Sequence, residues 1–450
     1  MATYPYLTPG AILRARPQCD FPDHAAYIAV SPTGETYLLD ADEYELLLRC
    51  DGLTPLNEIS GLDPKLLEDV SFSDLVSIAT SPTPCSSGQT RSTSNLVSPC
   101  RQAIWHLTRL CNMSCRHCYY LYDDPGAVKS TFSYDEIRSI AAHLGDLGVE
   151  SVRLSGGEAA IDVKRFEAAI SALTDNCLPI IVNTNGWKHE DNIIAAATGN
   201  PYFRAVQVSL DGPRFAHNDM RVNGSFDAIK SNVRKFVNRG LHVRVISMLT
   251  ERWMQRDAIW EMCTHMADAG VTDWVIEIPS VTGLCTIGST GETSKIFDAA
   301  LAFYSFLESQ PHQISSFCLT QIFDWPHNGP PIQRTLDDPI CLHDLGLLSF
   351  GPEGISYCTL FREQFGPEWK DIGKMEADQY KELWNRIARQ RTSRKIRDNP
   401  ACASCQLFHI CQGGCPGQYN DAINFQGCDF HSRNLALVKQ RLCNQLGWEL

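Results

Sequence analysis

Cys111, Cys115 and Cys118 stand in the spacing C-x-x-x-C-x-x-C, within Leu110-Cys-Asn-Met-Ser-Cys-Arg-His-Cys-Tyr119. Three thiolates at that spacing can hold three irons of a cubane cluster and leave the fourth iron without a protein ligand. An open iron is what a small molecule needs if the cluster is to react with it rather than only pass electrons. The competing readings are a zinc site or three unrelated buried thiols. Zinc sites more often pair C-x-x-C with a second C-x-x-C or a His pair, and no such pair lies close to this triplet.

A second concentration of thiols lies near the end of the chain. Cys402-x2-Cys405-x5-Cys411-x3-Cys415 is followed by Cys428 and preceded by Cys341 and Cys358. Four cysteines within fourteen residues are hard to explain as core packing. The chain has 450 residues, 19 cysteines and a formal net charge of −13. That charge argues against a general nucleic-acid binder, which needs a basic face against phosphates. The N-terminus lacks a basic segment followed by an apolar one, so no secretory signal is expected. No uncharged apolar run reaches the length of a bilayer span. A cytoplasmic chain with clustered cysteines points to metal ligation rather than disulfides.

The elements that must position these residues fall into segments. Residues 80–99, rich in Ser, Thr and Pro, read as a linker that cannot bury enough apolar surface to fold. Before it, strand-like Ala26–Val30 and Thr36–Leu39 flank a Pro32-Thr-Gly34 turn. A helix through Glu43–Leu48 would then end at Gly52, with further helical stretches near Leu56–Ile59 and Pro64–Val70. The pattern suggests a winged-helix-like unit over 1–79. Residues 1–80 carry thirteen acidic side chains against four basic, a poor match for DNA. An extended peptide adding a strand to the hairpin edge suits such a surface better.

From 100 to 310, short apolar runs alternate with amphipathic stretches, as in βα units around a parallel sheet. The expected strands are Ala103–Leu107, Ser151–Leu154, Pro179–Val182, Ala205–Val208, His242–Ile246 and Trp274–Ile278. Chemistry in such sheets gathers at the C-terminal strand ends, where the cysteine triplet follows the first strand. The second strand ends in Ser155-Gly-Gly-Glu158 and the third in Asn183-Thr-Asn185. The fourth ends in Ser209-Leu-Asp211, with His217 and Arg221 beyond.

Together these motifs resemble the radical S-adenosylmethionine (SAM) superfamily. The resemblance implies an α/β partial (β/α)6 TIM barrel with a small N-terminal winged-helix-like domain and a cysteine-rich C-terminal domain. It implies that Cys111, Cys115 and Cys118 hold a [4Fe–4S] cluster, and that Gly156, Gly157 and Glu158 grip the amino group of SAM. Ser209, Asp211 and Arg221 would hold its ribose and carboxylate, and His117 would lie near adenine. Ala159 stands where the family often has Pro.

The C-terminal spacing is similar to the SPASM extension of these enzymes, here 341–436 after a bridging region at 311–340 and before a tail at 437–450. That similarity implies two auxiliary [4Fe–4S] clusters, making three in all. Cys402, Cys405, Cys411 and Cys428 would hold one; Cys341, Cys358 and Cys415 would hold the other. The second set lacks a fourth cysteine, leaving His343, Asp344, water or a substrate thiolate. Gly354-x3-Cys358 is one residue shorter than the family's G-x4-C.

The N-terminal unit resembles leader-peptide recognition domains fused to enzymes that modify ribosomally made peptides. The expected function is therefore a maturase. It would abstract hydrogen from a precursor peptide through a 5′-deoxyadenosyl radical and form an intrapeptide thioether or C–C crosslink. A flavodoxin or ferredoxin would serve as reductant, and no nucleic acid or membrane would take part. Formylglycine formation of the sulfatase-maturing type and peptide epimerisation are the enzymatic alternatives. Epimerisation would need a cysteine donor, for which Cys285 and Cys318 lie in suitable regions. An iron–sulfur electron carrier or a zinc-bound scaffold is the non-enzymatic alternative.

Overall fold

The computed structural model describes residues 4–8, 11–15, 27–30, 36–39, 41–59, 75–82, 91–92, 96, 100–118, 120, 131–278, 293–310, 313–320, 322–325, 334–340, 346–356, 372–415, 426–428 and 430–448. Strands are numbered in chain order. The N-terminal strands are β1 (Tyr4–Leu7), β2 (Ile12–Ala15), β3 (Tyr27–Val30), β4 (Thr36–Leu39), β5 (Val76–Ala79) and β6 (Arg91–Ser92). β1 pairs with β5, and a four-stranded sheet runs β4-β3-β2-β6.

The expected hairpin is β3–β4, and the helix Ala41–Leu48 follows it directly. Leu13, Ala29, Leu39, Tyr44 and Leu47 form a core of their own, separate from that of the barrel. The expected stretch Pro64–Val70 lies outside the described residues. Within the Ser/Thr-rich segment, β6 pairs in parallel with Arg14 and Ala15 of β2. Backbone pairing does not require the apolar side chains from which a strand is read in sequence. β6 covers the β2 edge of this sheet, whereas β4 at the other edge pairs only with β3 among the described residues.

The large sheet comprises β7 (Gln102–Thr108), β8 (Ser151–Gly156), β9 (Ile180–Thr184), β10 (Phe203–Ser209), β11 (Val243–Met248), β12 (Asp273–Glu277), β13 (Ser316–Leu319), β14 (Phe323–Trp325), β15 (Leu347–Gly351) and β16 (Gly354–Ser356). Its order is β14-β13-β12-β11-β10-β9-β8-β7-β15-β16. The six strands read from the sequence are β7 to β12, all parallel. The parallel row runs further than expected, because β13 adds beside β12 and β15 beside β7. β13 follows β12 through the helix Thr293–Ser309 and extends the βα rhythm with only four residues, whereas β15 returns from far along the chain. Antiparallel β14 and β16 finish the two ends and do not pair with each other among the described residues.

The helices form where their ends are satisfied locally. Ser133 and Glu136 make a reciprocal capping box for Tyr134–Asp146, and Asp162 caps Val163–Asp175. Strand alternation sorts the two faces of the sheet. Val152, Leu154, Val182, Val206, Val208, Trp274 and Ile276 are buried in the main core. Trp274 meets Phe303 of the helix Thr293–Ser309 edge-on at 5.7 Å, which fixes this as the helix-covered face. Fully burying such side chains stabilises by about 1.5–3 kcal/mol each. The opposite face carries His106, Arg153, Ser155, Asn183, Gln207, Ser209, Arg244 and Glu277. A complete TIM barrel fills that space with branched apolar residues; here Ile181, Ile246 and Val275 share it with these polar side chains, which suit a ligand. No helix among the described residues is long and apolar enough to cross a membrane.

Candidate active site at the strand ends

The cysteine loop leaves β7 and lies against the ends of β8 and β9. Gly157 N donates to Thr108 O at 2.8 Å, and Glu158 N donates to Leu110 O at 2.8 Å. A Cβ on Gly157 would meet Leu110 O at 2.3 Å; one on Gly156, where φ is +140°, would meet Thr108 O at 2.4 Å. The paired glycines therefore let the β8 loop touch the backbone of the cysteine loop itself.

Glu158 is buried, with 1% of its surface exposed. Its carboxylate accepts from Thr184 Oγ1 at 2.9 Å and from Asn185 N at 2.8 Å, tying β8 to β9. Burial pushes its carboxyl up to about 7, against the opposing effect of those donors. Asn185 carries the chain of contacts onward. Its Nδ2 donates to Asn112 Oδ1 at 2.7 Å and lies 3.9 Å from Cys111 Sγ. Asn185 also shapes the turn after β9, since its Oδ1 accepts from Trp187 N.

On the other side of the loop, Asp211 and Arg221 pair with each other. Arg221 Nε donates to Asp211 Oδ2 at 2.6 Å, and Arg221 Nη1 lies 3.8 Å from Cys115 Sγ. His117 Nε2 is 3.2 Å from the same Asp211 oxygen, and Met248 N donates to Asp211 Oδ1 at 3.2 Å. Burial alone would raise the Asp211 carboxyl, but the Arg221 and histidine charges outweigh it and hold it at about 2. Burial lowers His117 despite Asp211. Burial likewise lowers His217 to about 4; its ring is satisfied by Asp211 N and Ser225 Oγ and stays in the core. Ser209 ends β10 on the polar face, half-buried.

The three thiols are partly buried; charge on Cys118 would disfavour ionisation of Cys111 and Cys115, and charge on Cys111 that of Cys115. Burial raises Cys111, and raises Cys115 to about 11. Iron binding must therefore displace protons from them. Among the described residues no three such side chains converge on a single metal ion; a cubane instead presents a separate iron to each thiolate. Four buried polar atoms at the strand ends lack a hydrogen-bond partner among the described residues: Asn112 Nδ2, His117 Nδ1, Asn183 Oδ1 and Thr250 Oγ1. Buried polar atoms without partners are rare. A ligand with ammonium, carboxylate, ribose and adenine groups fits this set of donors and acceptors. Asn112 and Thr250 carried no sequence signal, because an Asn within a cysteine motif and a Thr after a strand are common in any loop.

In the C-terminal region, a cavity is lined by Cys402, Cys405, Cys411 and Cys428 together with Phe408, Gly413 and Arg433. Cys402 and Cys405 belong to the turn of the short helix Pro400–Ala403, and Cys411 ends the helix Phe408–Cys411. Buried Asn399 brings the fourth thiol back: its Oδ1 accepts from Ala401 N while Nδ2 donates to Gly427 O at 2.7 Å. Cys415 does not line this cavity. Cys341, Cys358, His343, Asp344 and Cys285 lie outside the described residues, and Cys318 sits in β13.

Residues 105–263, from β7 to the helix after β11, match the radical SAM superfamily. The chain carries a radical SAM domain. It is 26% identical over 324 residues to the mycofactocin maturase MftC of Mycolicibacterium smegmatis, covering 69% of this chain and 76% of that protein. It is 21% identical over 371 residues to the AdoMet-dependent heme synthase of Nitratidesulfovibrio vulgaris, covering 76% and 93%. The fold is similar to that of Streptococcus suis SuiB bound to its precursor peptide SuiA, with a TM-score of 0.64 and 14% identity over 92% of this chain and 96% of SuiB. The chain is thus an enzyme carrying a radical SAM domain at 105–263, and that superfamily implies SAM and a [4Fe–4S] cluster as cofactors. The paired glycines, the buried polar atoms and the three thiols fit that pair.

Proposed function

We propose that this radical SAM enzyme matures a ribosomally made precursor peptide by installing an intrapeptide thioether or C–C crosslink. The observation that carries the reading is the N-terminal sheet. It has its own core and an edge strand, β4, that pairs on one side only among the described residues. An extended leader peptide would add to that edge through backbone hydrogen bonds. The peptide maturase among the curated relatives supports the same class of substrate.

Cys111, Cys115 and Cys118 would hold the cluster, which would supply the electron for SAM cleavage and hence for hydrogen abstraction. The chain's own residues prepare that site. Arg221 sets a guanidinium beside Cys115, offsetting negative charge on the thiolates, and Asp211 fixes the guanidinium in place. Asn185 orients the loop at Cys111, and Glu158 holds Asn185. Asn112, His117, Asn183 and Thr250 offer their unpaired atoms to SAM. Gly156 and Gly157 bring the β8 loop onto the cysteine loop, where with Glu158 they would grip the amino group of SAM, and Ser209, Asp211 and Arg221 would hold its ribose and carboxylate.

Cys402, Cys405, Cys411 and Cys428 would hold one auxiliary [4Fe–4S] cluster, and Cys341, Cys358 and Cys415 another, giving three in all. Forming a crosslink removes two hydrogens from the peptide, so an electron acceptor near the substrate suits this chemistry. A flavodoxin or ferredoxin would deliver the initiating electron. The test is anaerobic co-expression with the candidate precursor and intact-mass analysis with fragmentation. Loss of two hydrogens per event supports the reading, and an unchanged mass despite 5′-deoxyadenosine production sinks it.

A further inference from the structure

We propose that Glu277 is the general base of the bond-forming step, the carboxylate that takes the proton displaced as the abstracted carbon of the peptide bonds to sulfur or to a second carbon. This inference rests on the crosslinking reading above and adds a residue to it.

Glu277 is the last residue of β12, in register with Met248 of β11. That places it at the C-terminal strand ends, the edge at which the cysteine loop, Glu158 and Asp211 also lie. Trp274 and Ile276 of the same strand are buried toward the helices, so alternation turns Glu277 to the polar inner face. Its side chain is exposed there. The other site carboxylates are committed: Glu158 to Thr184 and Asn185, Asp211 to Arg221 and Met248 N. The Glu277 backbone O accepts from Leu249 N at 2.8 Å, and its carboxylate accepts no hydrogen bond from the described residues.

The surroundings suit a base. Protein packed around the strand ends limits hydration of the Glu277 carboxyl and raises it, although the side chain reaches solvent; Arg153 from β8 counteracts this and Asp211 reinforces it. A base whose pKa rises toward the working pH accepts a proton more effectively than an ordinary carboxylate. Arg153 lies on the same inner face and offers compensating positive charge.

The step balances as follows. A hydrogen atom leaves the peptide carbon for the 5′-deoxyadenosyl radical, giving 5′-deoxyadenosine and a carbon radical. An attacking group X–H then forms the C–X bond. Its proton passes to the Glu277 carboxylate, and one electron passes to an oxidised iron–sulfur cluster. The peptide loses two hydrogens in total.

The experiment measures crosslinked peptide formed per 5′-deoxyadenosine in anaerobically reconstituted full-length enzyme. In Glu277→Gln the ratio is expected to fall about 100-fold, within the range of general-base catalysis. Glu277→Ala supplies a second variant, whose ratio should recover when formate is added as a replacement carboxylate. An iron-loaded Glu277→Gln enzyme with the wild-type ratio overturns the proposal. If Glu277→Gln does not load iron, a wild-type ratio in Glu277→Ala without formate overturns it equally. A wild-type enzyme that makes 5′-deoxyadenosine but no crosslink defeats the crosslinking reading, and this inference with it. A wild-type crosslink with unaltered variants defeats this inference alone.

Discussion

The two thiol-rich regions are built in opposite ways. At the strand ends, the cysteine loop is held by partners remote in sequence: Asn185 reaches Cys111 across 74 positions and Arg221 reaches Cys115 across 106. In the C-terminal region, Cys402, Cys405 and Cys411 are placed by turns of two short helices, through bonds such as Cys405 N to Cys402 O at 3.1 Å and Cys411 N to Leu407 O at 2.8 Å. Only Cys428 returns from a distance, through Asn399. The first region depends on a finished sheet. The second depends mostly on local chain geometry. A site that must bind and activate a substrate needs charges and hydrogen-bonding groups from several strands, whereas the auxiliary cluster proposed for the second region would need mainly its ligands.

The largest expected effect separates the two regions by function. Cys115→Ala should abolish 5′-deoxyadenosine formation, while Cys405→Ala should retain it and lose crosslinked peptide. Iron content and 5′-deoxyadenosine yield check this, and equal loss of cleavage in both variants would break the division.

Next comes stability. Arg221→Ala leaves Asp211 buried without its partner and should cost about 3–5 kcal/mol in denaturant unfolding. Arg433→Ala, exposed at the C-terminal cavity, should stay within about 0.5 kcal/mol. A small cost at Arg221 would mean that the strand-end site does not depend on long-range pairing.

The two buried carboxylates of the first region should respond oppositely to pH. Glu158 moves from 4.5 up to about 7, so its contribution is full below pH 4.5 and is lost as pH rises through about 7, about 3 kcal/mol in all. Asp211 moves from 3.8 down to about 2, so its contribution is full above pH 3.8 and is lost as pH falls through about 2. Unfolding measured without SAM between pH 4.5 and 7 should lose its Glu158 slope in Glu158→Gln. An unaltered slope would rule out Glu158 as the source.

The smallest effect sharpens the loop contact. Gly157→Ala pushes a methyl into Leu110 O and should cost about 1–3 kcal/mol. It should also weaken SAM binding measured by equilibrium dialysis, because the displaced backbone carries Cys111. Unchanged SAM affinity would show that the loop shifts without moving the thiols.

Much of this architecture was legible beforehand. The six strands β7 to β12 carry apolar runs at regular spacing, and their local pattern announces them. The cysteine triplet and the Ser155–Glu158 loop were legible because few residue types do those jobs. β6 and β15 were not, since each gains its partner from a distant segment, and four-residue β13 carries too short an apolar run to stand out. Asn112, Thr250 and Asn399 were equally silent; Asn and Thr occur in many loops, and only burial gives these three a role.

The sequence by itself determined the chemistry: which thiols cluster, which strands repeat, and that the N-terminal unit is too acidic for DNA. Tertiary structure alone decided the allegiances of the charged groups. Asp211 answers to Arg221 and His117, Glu158 to β9, and Glu277 to none of the described side chains as a hydrogen-bond acceptor. The physical reason is range. Covalent spacing and alternation act over a few residues, but the energy of a buried charge is set by whichever distant groups the fold brings within a few ångströms.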